Sequence, residues 1–202
     1  FSVLTYSRNN IWSSEIALWQ DNVEKSPQKA RPHNILGNVL NKQGRIEEAI
    51  EHYLHALQIK PDYEKTYNNL GRAFYNQGRF KEAIEHYIHA LRINPESEKT
   101  HNNLGLAFYN QGRIKEAIEH YLHALQIKPD YEKAHYNLGN VLNEQDRTEE
   151  AIEHYLQALR INPGSEEAHN NLGNVYNKQG RTEEAIEHFI NALRINPESE
   201  KP

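Results

Sequence analysis

The sequence predicts an all-α solenoid built from five copies of one helix-turn-helix repeat, and three observations carry that prediction. Leu-Gly recurs every 34 residues, at Leu36-Gly37, Leu70-Gly71, Leu104-Gly105, Leu138-Gly139 and Leu172-Gly173. An alanine follows each pair (Ala49, Ala83, Ala117, Ala151, Ala185), and a proline closes each copy (Pro61, Pro95, Pro129, Pro163, Pro197). Each copy also holds two apolar stripes at helical spacing. Self-similarity on this scale marks stacked supersecondary units, each burying its apolar face only against its neighbours.

Taking Ala30 as position 1, the repeats run 30–63, 64–97, 98–131, 132–165 and 166–199, behind a leading segment 1–29. That segment fits the same ruler by half. Counting back 34 residues puts Trp12 at position 17, Ile16 at 21, Trp19 at 24, Val23 at 28 and Pro27 at 32. The match predicts a degenerate second helix over 13–25, capping the first full repeat. Within a repeat, positions 4, 7, 8 and 11 form the first stripe, as in Tyr67, Leu70, Gly71 and Phe74. The spacing i, i+3, i+4, i+7 is one face of a helix.

A Gln-Gly-Arg turn follows, as at Gln77-Gly78-Arg79, and only Asp146 replaces its glycine. Asp tolerates a left-handed turn position better than most residues. The second stripe occupies positions 20, 21, 24, 27 and 28, as in Ala83, Ile84, Tyr87, Ala90 and Leu91. Proline at position 32 ends that helix, because it lacks an N–H and disfavours the α region in its predecessor. The small residues Gly71, Ala83 and Ala90 fall where the two helices must approach closely. After Pro197 nothing is long enough to cover the last helix, so that surface is expected to meet further chain or a second copy.

This pattern is identified as the tetratricopeptide repeat (TPR) signature, and the resemblance covers residues 30–199. It implies a right-handed α-solenoid whose first helices line a concave groove for extended peptides or partner helices. One departure is position 4, usually Trp in the family, which is His33, Tyr67, His101, His135 and His169 here. Positions 2, 5, 6, 9, 12 and 13 lie away from the core stripe of the first helix. Position 6 carries Asn69, Asn103, Asn137 and Asn171, a row that resembles the one in the O-linked N-acetylglucosamine transferases. Carboxamides offer donor and acceptor together, so such a row suits a peptide backbone; the alternative is a solvated consensus residue.

Positions 9 and 12 add Arg72, Tyr75, Leu106 and Tyr109, and position 5 adds Tyr136. Tyr and Arg are favoured interface anchors, and aromatic residues at position 12 are also common in the family. The expected peptide-binding residues are therefore Asn69, Arg72, Tyr75, Asn103, Leu106, Tyr109, Tyr136, Asn137 and Asn171. Position 2 reads Arg31, Lys65, Lys99, Lys133 and Glu167, a weak hint of an acidic ligand that Glu64, Glu98 and Glu132 offset. The carboxylate clamp of chaperone-binding TPRs is absent.

Other chemistry is expected to be missing. The net charge of −5 gives no basic footprint for nucleic acid. Zero cysteines exclude disulfides, thiolate nucleophiles and Cys-ligated zinc. No phosphate loop, nucleophile elbow or zincin motif occurs, so no catalytic residues and no cofactor are assigned. The 12 histidines fall at positions 4, 23 and 26, all repeated slots. The i, i+3 pairs such as His52 and His55 are candidate metal ligands, but no third imidazole is specified, and the reading is no metal. Position 23 is read as bordering the core and position 26 as solvated.

No run approaches the ~18 apolar residues of a membrane span. Methionine is absent even at position 1, where Phe1 stands, so the chain is expected to be a fragment or processed form. The stretch Ser7-Arg8-Asn9-Asn10-Ile11-Trp12, Glu15, Leu18-Trp19 and Ser26-Pro27 is similar to the membrane-to-TPR junction of O-mannosyltransferase-like TPR membrane proteins. It implies that Phe1–Tyr6 is the last turn of a membrane helix.

The leading function is then a non-catalytic scaffold that binds an extended peptide or partner protein in the groove. The alternatives are a substrate-recruiting extracytoplasmic tail of a membrane glycosyltransferase-like protein, and a module self-assembling through its terminal repeats into a homo-oligomer. The compartment stays open: extracytoplasmic if the parent is that membrane protein, cytoplasmic otherwise.

Overall fold

The computed structural model describes residues 14–196, and every regular element among them is an α-helix. The chain divides into two compact lobes, the first ending at Glu96 and the second beginning at Ser97. In the N-terminal lobe the helices are α1 (Glu15–Lys25), α2 (Ala30–Lys42), α3 (Ile46–Ile59), α4 (Glu64–Asn76) and α5 (Phe80–Ile93). In the C-terminal lobe they are α6 (Glu98–Asn110), α7 (Ile114–Ile127), α8 (Glu132–Glu144), α9 (Thr148–Ile161), α10 (Glu166–Lys178) and α11 (Thr182–Ile195).

The leading helix α1 starts two residues later than the sequence predicts, because Ser14 caps it by accepting a bond from the Ala17 N–H at 3.1 Å. It packs on α2. Trp12, Pro197 and the Phe1–Tyr6 stretch lie outside the described residues.

Each helix pair closes through the same turn. Gly44, Gly78, Gly112 and Gly180 have φ between 72° and 77°, and Asp146 takes the equivalent place at φ 56°. The following arginine N–H reaches back to the first helix, as Arg79 does to the Phe74 carbonyl at 2.9 Å. That closure satisfies carbonyls the helix end would otherwise leave bare. The arginine side chain then lies over the ring at position 11, with Arg79 4.4 Å from Phe74 and Arg113 4.2 Å from Phe108. The same arginines pair with Glu82 and Glu116. At the other end, the residue before each proline is extended, as Lys60 is at φ −133° and ψ 90°.

The core of each pair is a tyrosine on a glycine. Tyr53, Tyr87, Tyr121 and Tyr155 are at most 1% exposed. A Cβ on Gly71 would come within 2.6 Å of the Tyr87 ring, and one on Gly105 within 2.8 Å of Tyr121. The Leu-Gly refrain is therefore a ring-packing requirement. Burying one such side chain is worth about 1.5–3 kcal/mol. In the last pair Phe189 fills the tyrosine slot, and Ile186 of α11 is 51% exposed where Ile84 and Ile152 are 6% and 8%.

Candidate functional site

The expected binding residues divide between the lobes. In the N-terminal lobe, Asn69 is half-buried and its amide donates to Asn34 Oδ1 at 3.0 Å. Asn34 is 5% exposed and also accepts from the Thr66 hydroxyl at 3.0 Å. Arg72 is exposed and its guanidinium acts on the Tyr53 hydroxyl. Burial pushes that phenol up to about 12, and the nearby cation opposes the rise. Tyr53 in turn donates to Asn38 Oδ1 at 2.8 Å. The Tyr75 ring lies tilted against Phe80 at 5.3 Å.

In the C-terminal lobe the remaining six expected residues all line one of two cavities. The first, of about 530 Å³, is bordered by Asn103, Leu106, Tyr136 and Asn137, with Lys133 and Glu167 at its edge. The second, of about 480 Å³, is bordered by Tyr109 and Asn171. Both draw their walls from α6, α8 and α10, the first helices of successive pairs.

The position-6 amides are not idle. Asn137 donates to Asn102 Oδ1 at 3.0 Å, and Asn102 is 4% exposed. Asn171 donates to the Tyr136 hydroxyl at 3.2 Å and to Asn140 Oδ1 at 2.9 Å. Within each lobe, Asn69, Asn137 and Asn171 thus tie their helix to the preceding first helix, a structural duty that spacing alone does not assign. A carboxamide has two donors and an acceptor, so one bond leaves capacity for a ligand.

Most of the second cavity was not among the expected binding residues. Asn140, Asn143, Asn174 and Asn177 stand there at positions 9 and 12, the slots that hold Arg72, Leu106, Tyr75 and Tyr109 in the second and third repeats. Tyr155 belongs to the core stripe, yet its hydroxyl crosses the hairpin to Asn140 Oδ1 at 2.8 Å. Burial pushes this phenol upward. Glu144 accepts a short bond from the Tyr109 hydroxyl, and that bond, more than burial, pushes Tyr109 up to about 12. The signal available was Glu144 itself, the one acid at position 13. Carboxamides, phenols, one carboxylate and Lys178 make a lining with many neutral hydrogen-bonding groups and little net charge.

The histidines are more organised than the sequence indicates. Position 4 meets position 23 through the two Nδ1 atoms: His33–His52 at 3.1 Å, His101–His120 at 3.0 Å, His135–His154 and His169–His188 both at 2.9 Å. A third ring joins two of these pairs, since His55 stacks on His33 at 4.2 Å and His123 on His101 at 5.2 Å. Position 26 is therefore exposed but not merely solvated. In each pair the ring centres lie 5.1–5.4 Å apart, about one ring radius beyond each nitrogen. The two nitrogens and two centres are nearly collinear, which suits a direct N–H···N bond; two ligands of one ion would converge on a third point. Among the described residues no group of three or more His, Asp or Glu is placed to hold a metal. No described helix is long and apolar enough to cross a membrane.

A family model described as the cilia and flagella-associated protein 70 C-terminal domain matches residues 13–201. Human protein O-mannosyl-transferase TMTC1 is 41% identical over 61 residues, 30% of this chain and 7% of that protein. The mouse protein of the same name matches at the same identity and length. The chain thus spans under a tenth of the length of the curated relatives it matches. Among solved structures, MamA aligns with a TM-score of 0.71 and 26% identity, over 80% of this chain and 95% of MamA. PilF of Pseudomonas aeruginosa aligns at 0.79 and 24%, covering 83% and 76%. YrrB, described as a TPR protein with an unusual peptide-binding site, aligns at 0.67 and 23%, covering 90% and 93%. These likenesses establish the fold as an α-solenoid of TPR helix pairs.

Proposed function

The chain belongs to the family of the cilia and flagella-associated protein 70 C-terminal domain, and from that premise we propose that its C-terminal lobe docks an extended peptide of a partner protein. A tetratricopeptide fold is a protein-interaction scaffold and is typically non-catalytic. One observation carries the finer reading. Six residues expected at a peptide surface line two cavities walled mainly by the same three helices, α6, α8 and α10. Their carboxamides and phenols match the alternating donors and acceptors of an extended backbone, and Leu106 with Tyr136 offers an apolar seat for one side chain. The peptide-binding site named for YrrB is consistent with such use of the fold.

Panning a random peptide library against the chain tests this. The best binder is then measured by calorimetry against wild type and Asn103→Ala/Tyr109→Ala. Affinity should fall by about tenfold or more with unchanged helicity. Equal affinity for both proteins removes the proposed site.

A second reading has its own support. The 61-residue match to an O-mannosyl-transferase favours a recruiting tail on a membrane glycosyltransferase-like parent. Sequencing the reading frame upstream of Phe1 decides it: a multi-span apolar region sustains the idea, and its absence ends it.

A further inference from the structure

Away from the cavities, the histidine pairs form a second repeated system with a defined proton inventory. His33 Nε2 lies 3.1 Å from the Pro27 carbonyl, His135 Nε2 lies 2.9 Å from Pro129, and His169 Nε2 lies 3.3 Å from Pro163. A carbonyl only accepts, so in these three rings Nε2 carries the hydrogen. Their Nδ1 atoms are then bare lone pairs when neutral, and the position-23 histidine must donate its own Nδ1–H. Each of these three pairs is held in one arrangement: second helix donates to first helix, first helix donates to the preceding loop.

That arrangement has room for one extra proton at most. A first proton can add at Nε2 of the position-23 ring and leave the bond intact. A second must add at the accepting Nδ1, placing two N–H groups and two charges face to face. An unfolded chain has no such limit, and two free imidazoles take two protons.

We propose that the four histidine pairs act as proton-sensitive latches, holding each helix pair closed while the rings are neutral and releasing it in mildly acidic surroundings.

The surrounding charges do not cancel the effect. His33 and His52 feel His55, Glu48 and Glu51, while His120 feels His101, His123 and Glu116. His154 feels His135, Glu150 and Arg147, and His188 feels His169, Glu184 and Glu187. In every one of these rings burial is the leading influence and lowers the proton affinity, and His120 and His154 are brought down to about 4. A folded-state value below the ordinary one means the unfolded chain binds more protons. Stability is therefore full above about pH 6.5 and is lost as pH falls toward about 4.

One helix pair is a natural control. In α4–α5, Tyr67 replaces the position-4 histidine, and its ring lies 6.1 Å from His86. The buried Nδ1 of His86 has no hydrogen-bond partner among the described residues. Here the latch lacks its histidine acceptor.

Thermal melting of the whole chain at about pH 7.5 and about pH 5 tests the proposal, with Tyr67→His beside wild type. The wild-type Tm should fall by roughly 10 °C between the two conditions. Tyr67→His, which builds a fifth pair, should melt higher than wild type at the upper pH and lose that gain at the lower one. Equal wild-type Tm values overturn the proposal, as does a Tyr67→His shift of the same size at both. Imidazole nitrogen NMR on wild type supplies an independent readout. Each pair should show one Nδ1–H and one Nε2–H ring, and both rings doubly protonated in a folded chain would overturn the idea.

Discussion

The helix pairs α4–α5 and α6–α7 belong to repeats that differ at only eight of 34 positions, yet they present different chemistry. At position 4 one has Tyr67 and the other His101; at position 9 one has Arg72 and the other Leu106. The first exchange leaves His86 Nδ1 unpaired in one pair and gives His120 a partner at 3.0 Å in the other. The second turns a cation toward the Tyr53 hydroxyl in one lobe and an apolar wall toward a cavity in the other. What the two repeats share sets the packing of each helix pair, and two side chains they do not share set the local chemistry.

The shared part can be broken first. Tyr87 and Tyr121 are 1% and 0% exposed, so Tyr87→Ala and Tyr121→Ala should each cost about 3–5 kcal/mol in urea unfolding. A large disparity between the two would mean the pairs are not packed alike. Next comes the glycine beneath each ring. Gly71→Ala and Gly105→Ala should each cost about 1–3 kcal/mol despite the better helix propensity of alanine. Gly71→Ala should be the worse, because its new methyl starts nearer the ring, at 2.6 Å against 2.8 Å. A stabilising alanine at either site would refute the ring-on-glycine account. The smallest effect concerns the difference itself. His101→Tyr copies Tyr67 into the second pair and strands the His120 Nδ1, which should cost about 1–2 kcal/mol near neutral pH. No change in the urea midpoint would show that the imidazole bond contributes nothing there.

The period, stripes, turns and terminating prolines were legible in the sequence because each depends on local geometry. Asp146 could be placed in a left-handed turn from its alignment with four glycines, and its φ of 56° agrees. The role of Asn69, Asn137 and Asn171 was only half legible. Periodicity places them off the core stripe, but their partners sit 31–35 residues away on the preceding first helix, and pairing at that range leaves no trace in spacing. The histidines show the same limit. Nothing in the i, i+3 spacing of His52 and His55 reveals that His33 comes between helices to meet both. Tyr155 was read as core, and its ring is; the hydroxyl that reaches Asn140 belongs to the pocket.

The carboxamide ties also bear on how each lobe melts. Asn69 to Asn34, Asn137 to Asn102 and Asn171 to Asn140 are bonds between neighbouring repeats, not within one. In a linear array the stability of a repeat and its coupling to the next are separate quantities. A side chain buried inside a helix pair belongs to the first, and these amides belong to the second. Weakening the first moves a transition to lower temperature; weakening the second blurs it, as repeats begin to come apart singly. Losing one of these asparagine ties should therefore broaden unfolding as well as lower its midpoint.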